Sequence, residues 1–255
     1  IYVKSGIYYE KIEITNSGTE EAPIIIEGET GAVIDGRASS SSESSDPFVV
    51  PEWKSDDEIP GLYRVSVPFE PRTVVADGKL VTVLDERRVT PPEANFVWKW
   101  QNLFVTGIRG RWSGVKALAL YLEDKNELLI KFENNLDPNE KDIVLSPKEE
   151  VIEVNGADNI IIRDLTIRNA TYGVMVENSV GTIVEDCQIG PIEYGVWLGG
   201  RADKAIVRRN DITMNPLSVN TAPNNHKLSW DTWLAHKKGG YYDRWGIMMS
   251  YSDGN

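Results

Sequence analysis

Three aromatic residues, Tyr172, Tyr194 and Trp245, each stand immediately before a glycine in a repeated pattern. Trp197 and Met175 lie three residues after Tyr194 and Tyr172. Rings held in file suit a carbohydrate, whose C–H faces are apolar and whose hydroxyls seek polar neighbours. The alternative use of the same rings is packing beneath inserted segments. Between Ile212 and Ile247 the segment 216–244 gathers His226, His236, Trp230, Asp231, Trp233, Lys237, Lys238, Tyr241, Tyr242, Asp243 and Arg244. Glycosidic hydrolysis needs two carboxylates about 5–10 Å apart, and Glu177, Glu193, Asp231, Asp243 and Asp253 are the candidates. Elimination on a uronate needs a base and a cation that neutralises the sugar carboxylate. Lys237, Arg244 or His236 would be that base, with calcium the cation in this case alone. Spacing does not choose between the two chemistries. The expected site therefore has Glu177, Glu193, Asp243, Arg244 and His236 as reacting groups, and Tyr172, Tyr194, Trp197, Trp245 and Lys237 as sugar-holding groups. No resident cofactor is expected. His226 and His236, without a cysteine partner, do not make a zinc pattern, and Gly199-Gly200 has no following helix to make a phosphate loop.

The elements that would position these residues come from a repeat of about 22 residues. Ile161–Ile167, Ile183–Ile189 and Ile206–Ile212 align with apolar residues at positions 1, 2 and 7. A second column reads Val151-Ile152-Glu153-Val154, Gly173-Val174-Met175-Val176, Gly195-Val196-Trp197-Leu198 and Gly246-Ile247-Met248-Met249. The runs are short and rich in Val and Ile, so they read as strands. Their spacing is too short for crossover helices, so the chain must coil, one rung per repeat, with like strands stacked in parallel. Alternation then predicts Ile152, Val174, Val196 and Ile247 in one inward column, with Glu153, Met175, Trp197 and Met248 outward. Leu165, Cys187 and Asn210 share one turn position. The leucine and asparagine pattern of leucine-rich repeats is absent. The fold class is all-β, a right-handed parallel β-helix.

The repeat does not run throughout. Strand-like runs at Ile1–Val3, Ile12–Ile14, Pro23–Ile26 and Val33–Ile34, with turns at Ser5-Gly6, Asn16–Gly18 and Gly28–Gly31, make residues 1–47 the first rungs. After a serine-rich loop at Ser39–Ser45 the period disappears from 48 to 147. That stretch carries strand candidates at Leu62–Val67, Thr73–Val75, Leu80–Leu84, Ala117–Leu122, Leu128–Phe132 and Ile143–Leu145, with a hairpin turn at Asp77-Gly78. It reads as an inserted β-rich subdomain. The coil resumes over 148–255, interrupted by the 216–244 loop.

Composition sets outer bounds. The 255 residues carry 39 acidic and 27 basic side chains, a net charge of −12, which argues against a nucleic-acid partner. No apolar run approaches the roughly 20 residues that span a bilayer. The one cysteine, Cys187, reads as a buried apolar side chain. The chain opens in a strand and stops before a further one, so it reads as truncated at both ends. Oligomeric state is not readable.

Tyr2–Glu10, Ser17-Gly18-Thr19, Ala22–Ile26 and Ala32-Val33-Ile34-Asp35-Gly36 resemble the opening of right-handed parallel β-helix proteins of the pectate-lyase-like superfamily. Asn159–Ile167 is similar to their usual rung, and Val75–Lys79, Leu120–Leu122 and Leu136–Asn139 resemble a subdomain of some glycoside-hydrolase-like members. The resemblance implies the coil and a secreted or cell-surface location. It also implies a polysaccharide or oligosaccharide partner, with hydrolase ahead of lyase. The same superfamily holds non-catalytic proteins. A surface β-helix such as an adhesin, appendage subunit or glycan-binding module is therefore the alternative.

Overall fold

The computed structural model describes residues 1–40, 46–84, 116–214 and 245–250. These fall into two compact units, one from 1–48, 146–214 and 245–250, the other from 49–84 and 116–145.

The first unit is a right-handed parallel β-helix of three sheets. The first sheet stacks Tyr2–Val3, Ile24–Gly28, Ile160–Arg163, Ile183–Glu185 and Ile206–Arg208. The second stacks Gly6–Tyr8, Ala32–Asp35, Thr166–Arg168, Gln188–Ile189 and Asp211–Ile212. The third stacks Ile12–Ile14, Glu150–Asn155, Tyr172–Glu177, Tyr194–Gly199 and Trp245–Ser250. Gly6 opens a strand rather than a turn, its N–H donating to Gly31 O at 3.1 Å. The Ile7 side chain is 49% exposed, which hides this strand from a reading based on apolar runs.

The predicted inward column is present: Ile152 pairs with Val174, Val174 with Val196, and Val196 with Ile247. The first three are fully buried, and Ile247, on the edge strand, is 44% exposed. Ile162, Val184 and Ile167, Ile189 line the other two walls. Each such side chain contributes about 1.5–3 kcal/mol when withdrawn from water. Between the walls the chain turns through left-handed residues at repeat positions. Asp164, Asp186 and Arg209 have φ of 57°, 55° and 55°, and Asn159, Gly181 and Lys204 have 54°, 73° and 54°. Asp, Asn and Gly tolerate this conformation best. The residue after the first of these turns points inward as Leu165 and Cys187, while Asn210 caps the turn, accepting from Cys187 N at 2.9 Å and donating to Val184 O at 2.9 Å.

Cys187 is buried, and burial first, then the carboxylates of Asp164, Asp186 and Glu185, push its thiol up to about 11. The thiolate is the reactive form. Labelling of the native protein by an aromatic disulfide reagent near pH 8 should be slower than in denaturant by about 100-fold or more; comparable rates would contradict the buried position.

The chain leaves the coil after Arg37 and returns at Ser146. The Ser146 hydroxyl donates to Gly36 O, and Lys148 Nζ donates to Arg37 O at 3.1 Å. The rung then closes: Ile152 pairs with Ile12, Ile160 with Ile24 and Thr166 with Val33. Beneath this junction lies the Ile34-Asp35-Gly36 motif. Asp35 is wholly buried and accepts from Arg168 Nε at 2.8 Å, Asn169 Nδ2 at 2.8 Å and Arg37 N at 2.9 Å. Gly36 is required by crowding, since a Cβ there would lie 2.0 Å from Asn169 O.

The second unit has a five-stranded sheet ordered Thr82–Leu84, Ala117–Leu122, Glu127–Phe132, Leu62–Ser66 and Lys54–Ser55. A three-stranded sheet joins Ile143–Ser146, Thr73–Ala76 and Lys79–Leu80. The Asp77-Gly78 turn has both residues left-handed, with φ of 49° and 71°, the geometry that matches strand twist in a two-residue hairpin.

Candidate functional site

The third sheet's outer face carries the aromatic file. Backbone pairing aligns Glu150, Tyr172, Tyr194 and Trp245 on successive rungs, then Glu153, Met175, Trp197 and Met248, then Asn155, Glu177, Gly199 and Ser250. The ladder skips Gly173 and Gly195, and a Cβ on Gly173 would lie 2.6 Å from Gly195 O. The glycine after each tyrosine therefore lets adjacent rungs approach closely at the corner where the rings emerge.

Tyr172 and Tyr194 stack with centroids 4.8 Å apart and planes 26° from parallel. Trp197 meets both edge-on, at 5.2 Å and 6.0 Å. All three side chains are partly exposed. Beside them, a Cβ on Gly199 would lie 2.4 Å from Trp197 Nε1 and 3.0 Å from Glu177 Oε1. The indole edge and the Glu177 carboxylate thus converge over a bare stretch of backbone. The indole N–H is buried without a hydrogen-bond partner among the described residues.

Carboxylates surround the rings. Burial first, then the charges of Glu149, Glu193, Glu150 and Glu177, raise the Tyr172 phenol above its ordinary range. Glu193 is 9% exposed, whereas Glu177 is partly exposed and its side chain makes no hydrogen bond or ion pair among the described residues. Lys11 donates to Glu150 and to Glu153, the latter at 2.6 Å. Burial pulls the Lys11 ammonium down, but these hydrogen bonds outweigh it and hold it well above the usual lysine range. The bond from Lys11 likewise holds Glu153 below the usual carboxylate range.

The structure brings Tyr172, Tyr194, Trp197 and Glu177 onto one surface, with Glu193 in electrostatic reach of Tyr172. It sets Glu177 and Glu193 toward opposite ends of the strand, because Glu177 is level with Gly199 while Glu193 precedes Tyr194. Those levels are six residues apart along the backbone. Asp243, Arg244, His236 and Lys237 lie outside the described residues, as does the Trp245 ring. Sequence reasoning missed Glu150, Lys11 and Gly199. Glu150 was available from the register, one place before Val151 as Tyr172 is before Gly173. Lys11 and Gly199 carry no repeat signal.

The family model described as "Periplasmic copper-binding protein (NosD)" matches residues 111–255, more than half of the chain. The chain belongs to the NosD family. A comparison with curated proteins finds no match. Among solved structures, one described as the complex structure of XylC with xylose is similar with a TM-score of 0.51 at 12% identity, over 87% of this chain and 50% of that one. Another, described as a glycoside hydrolase, gives 0.44 at 11% identity, over 81% and 59%. The NosD-family chain spans about half the length of the first, and the likeness concerns fold alone.

The family description names copper, so the donor set matters. Copper takes imidazole, thiolate or thioether ligands. Both histidines lie outside the described residues, and the buried Cys187 Sγ is turned to Glu185 O at 3.3 Å. No group of three or more His, Cys, Asp or Glu side chains among the described residues could hold a metal. The described His, Cys, Asp and Glu side chains therefore do not by themselves make a copper centre. No helix among them is long and apolar enough to cross a membrane.

Proposed function

We propose that this chain is a carbohydrate-active β-helix protein, working outside the cytoplasm, that engages a polysaccharide or oligosaccharide on the outer face of the third sheet. The observation that carries the reading is the stacked Tyr172–Tyr194 pair with Trp197 set edge-on against it. Partly exposed rings fixed by backbone pairing form a preorganised apolar surface, and the neighbouring carboxylates offer hydrogen-bond acceptors to sugar hydroxyls. The family description as periplasmic supports the location, and the likeness to a structure described as a complex of XylC with xylose supports the ligand class.

The finer reading is cleavage by hydrolysis. Two of Glu177 (the carboxylate beside Trp197), Glu193 and Asp243 are then the reacting groups, one as acid and the other as base or nucleophile. The test is full-length protein against a broad glycan screen, followed by turnover on whichever glycan is cleaved. Glu177→Gln should lower turnover by about 100-fold with binding retained. Unchanged turnover removes Glu177 from the reaction. Binding without cleavage leaves a glycan-binding module, and a screen without any binding favours the structural β-helix.

A further inference from the structure

The charge around the rings limits which glycan can settle there. Glu149, Glu150, Glu177 and Glu193 all act on the Tyr172 phenol. Glu153 follows Glu150 on the same rung, and Lys11 is engaged by both. The side chains of Glu149 and Glu177 make no hydrogen bond or ion pair among the described residues, so their charge is directed to solvent and to whatever lies on the rings. The whole chain, at −12, adds a long-range field of the same sign. An aromatic surface flanked by carboxylates attracts cations through both the ring faces and the charges. It repels a sugar carboxylate brought to the same rings.

We propose that this face takes glycans free of carboxylate groups, holds protonated amino sugars tightest, and turns polyuronates away. This rests on the carbohydrate reading above and selects within it. A glucosamine unit stacked on Tyr172 or Tyr194 would place its ammonium near Glu149 and Glu150, and one lying against Trp197 would place it near Glu177. A xylose unit would gain only stacking and hydroxyl contacts. A galacturonate unit would meet like charge, with Lys11 already held by Glu13, Glu150 and Glu153.

The experiment is calorimetric titration of the full chain with hexamers of glucosamine, xylose and galacturonic acid. It is run at mildly acidic pH and low salt, where the amine and the uronate are both charged. The expected order is glucosamine, xylose, galacturonate, with about tenfold or more between first and last. Added salt should compress the series, because exposed charges are screened over about 10 Å at 0.1 M. Glu177→Gln should narrow the gap between the glucosamine and galacturonate hexamers. Galacturonate binding equal to or tighter than the other two overturns the selection while the aromatic platform stands. A series that does not respond to salt or to Glu177→Gln also overturns it. If none of the three binds, the platform fails and the selection falls with it.

Discussion

Replacing Asp35 by alanine should destabilise the protein by about 3–5 kcal/mol, the usual cost of removing one partner from a buried charged network. Asp35 is inaccessible to solvent and serves three donors at once, Arg168 Nε, Asn169 Nδ2 and Arg37 N. The variant leaves Asn169, itself 4% exposed, without that acceptor, and leaves Arg168 facing a cavity where its counter-charge had been. Glu27→Ala is the matched control. Its partner is also an arginine one rung away, Arg163 at 2.9 Å, but both side chains are more than a third exposed, at 38% and 34%. An exposed pair of this kind contributes under about 1 kcal/mol. Urea unfolding of the two variants should therefore separate clearly. If both unfold at the same midpoint, the buried carboxylate is not what holds the junction.

Trp197→Ala should weaken glycan binding by about 10–100-fold while the fold stays intact, because a large ring at the centre of a contact carries a disproportionate share of the affinity. Its backbone pairs with Met175 and Met248, and alanine can keep those hydrogen bonds, so circular dichroism should be unchanged. Gly199→Ala makes the complementary test. The added methyl would sit 2.4 Å from the indole Nε1 and 3.0 Å from Glu177 Oε1, displacing the ring without deleting it. A loss of several-fold is expected, smaller than for the missing ring. Full affinity in Trp197→Ala would place the sugar elsewhere on the protein.

The coil was legible in the sequence because its physics is periodic. Ile152, Val174 and Val196 must each face inward at the same step of the rung, so one spacing reveals the whole column. The strands of the second unit were legible from local β propensity and from Asp77-Gly78, although no period links them. What escaped was whatever depends on one contact rather than a repeat. Gly6–Tyr8 pairs as a strand with an exposed isoleucine, and Lys11 acquires Glu150 and Glu153 as partners from 139 and 142 residues away. Gly199 reads as a turn glycine, yet the Trp197 indole lies across it. The separation of Glu177 from Glu193 was also hidden, because adjacent rungs look close in sequence spacing while the two residues sit toward opposite ends of the strand.

The junction at Gly36-Arg37 and Ser146–Lys148 makes the solenoid a spine with a port. Its rungs close across the opening, from Ile14 to Val154 and from Ile26 to Ile162. Since the entropy of closing a loop grows only slowly with its length, the cargo at this port can lengthen, shrink or be exchanged while the stacking register above and below stays as it is. New specificities can therefore be grafted there as whole modules, leaving the aromatic face to evolve by single substitutions.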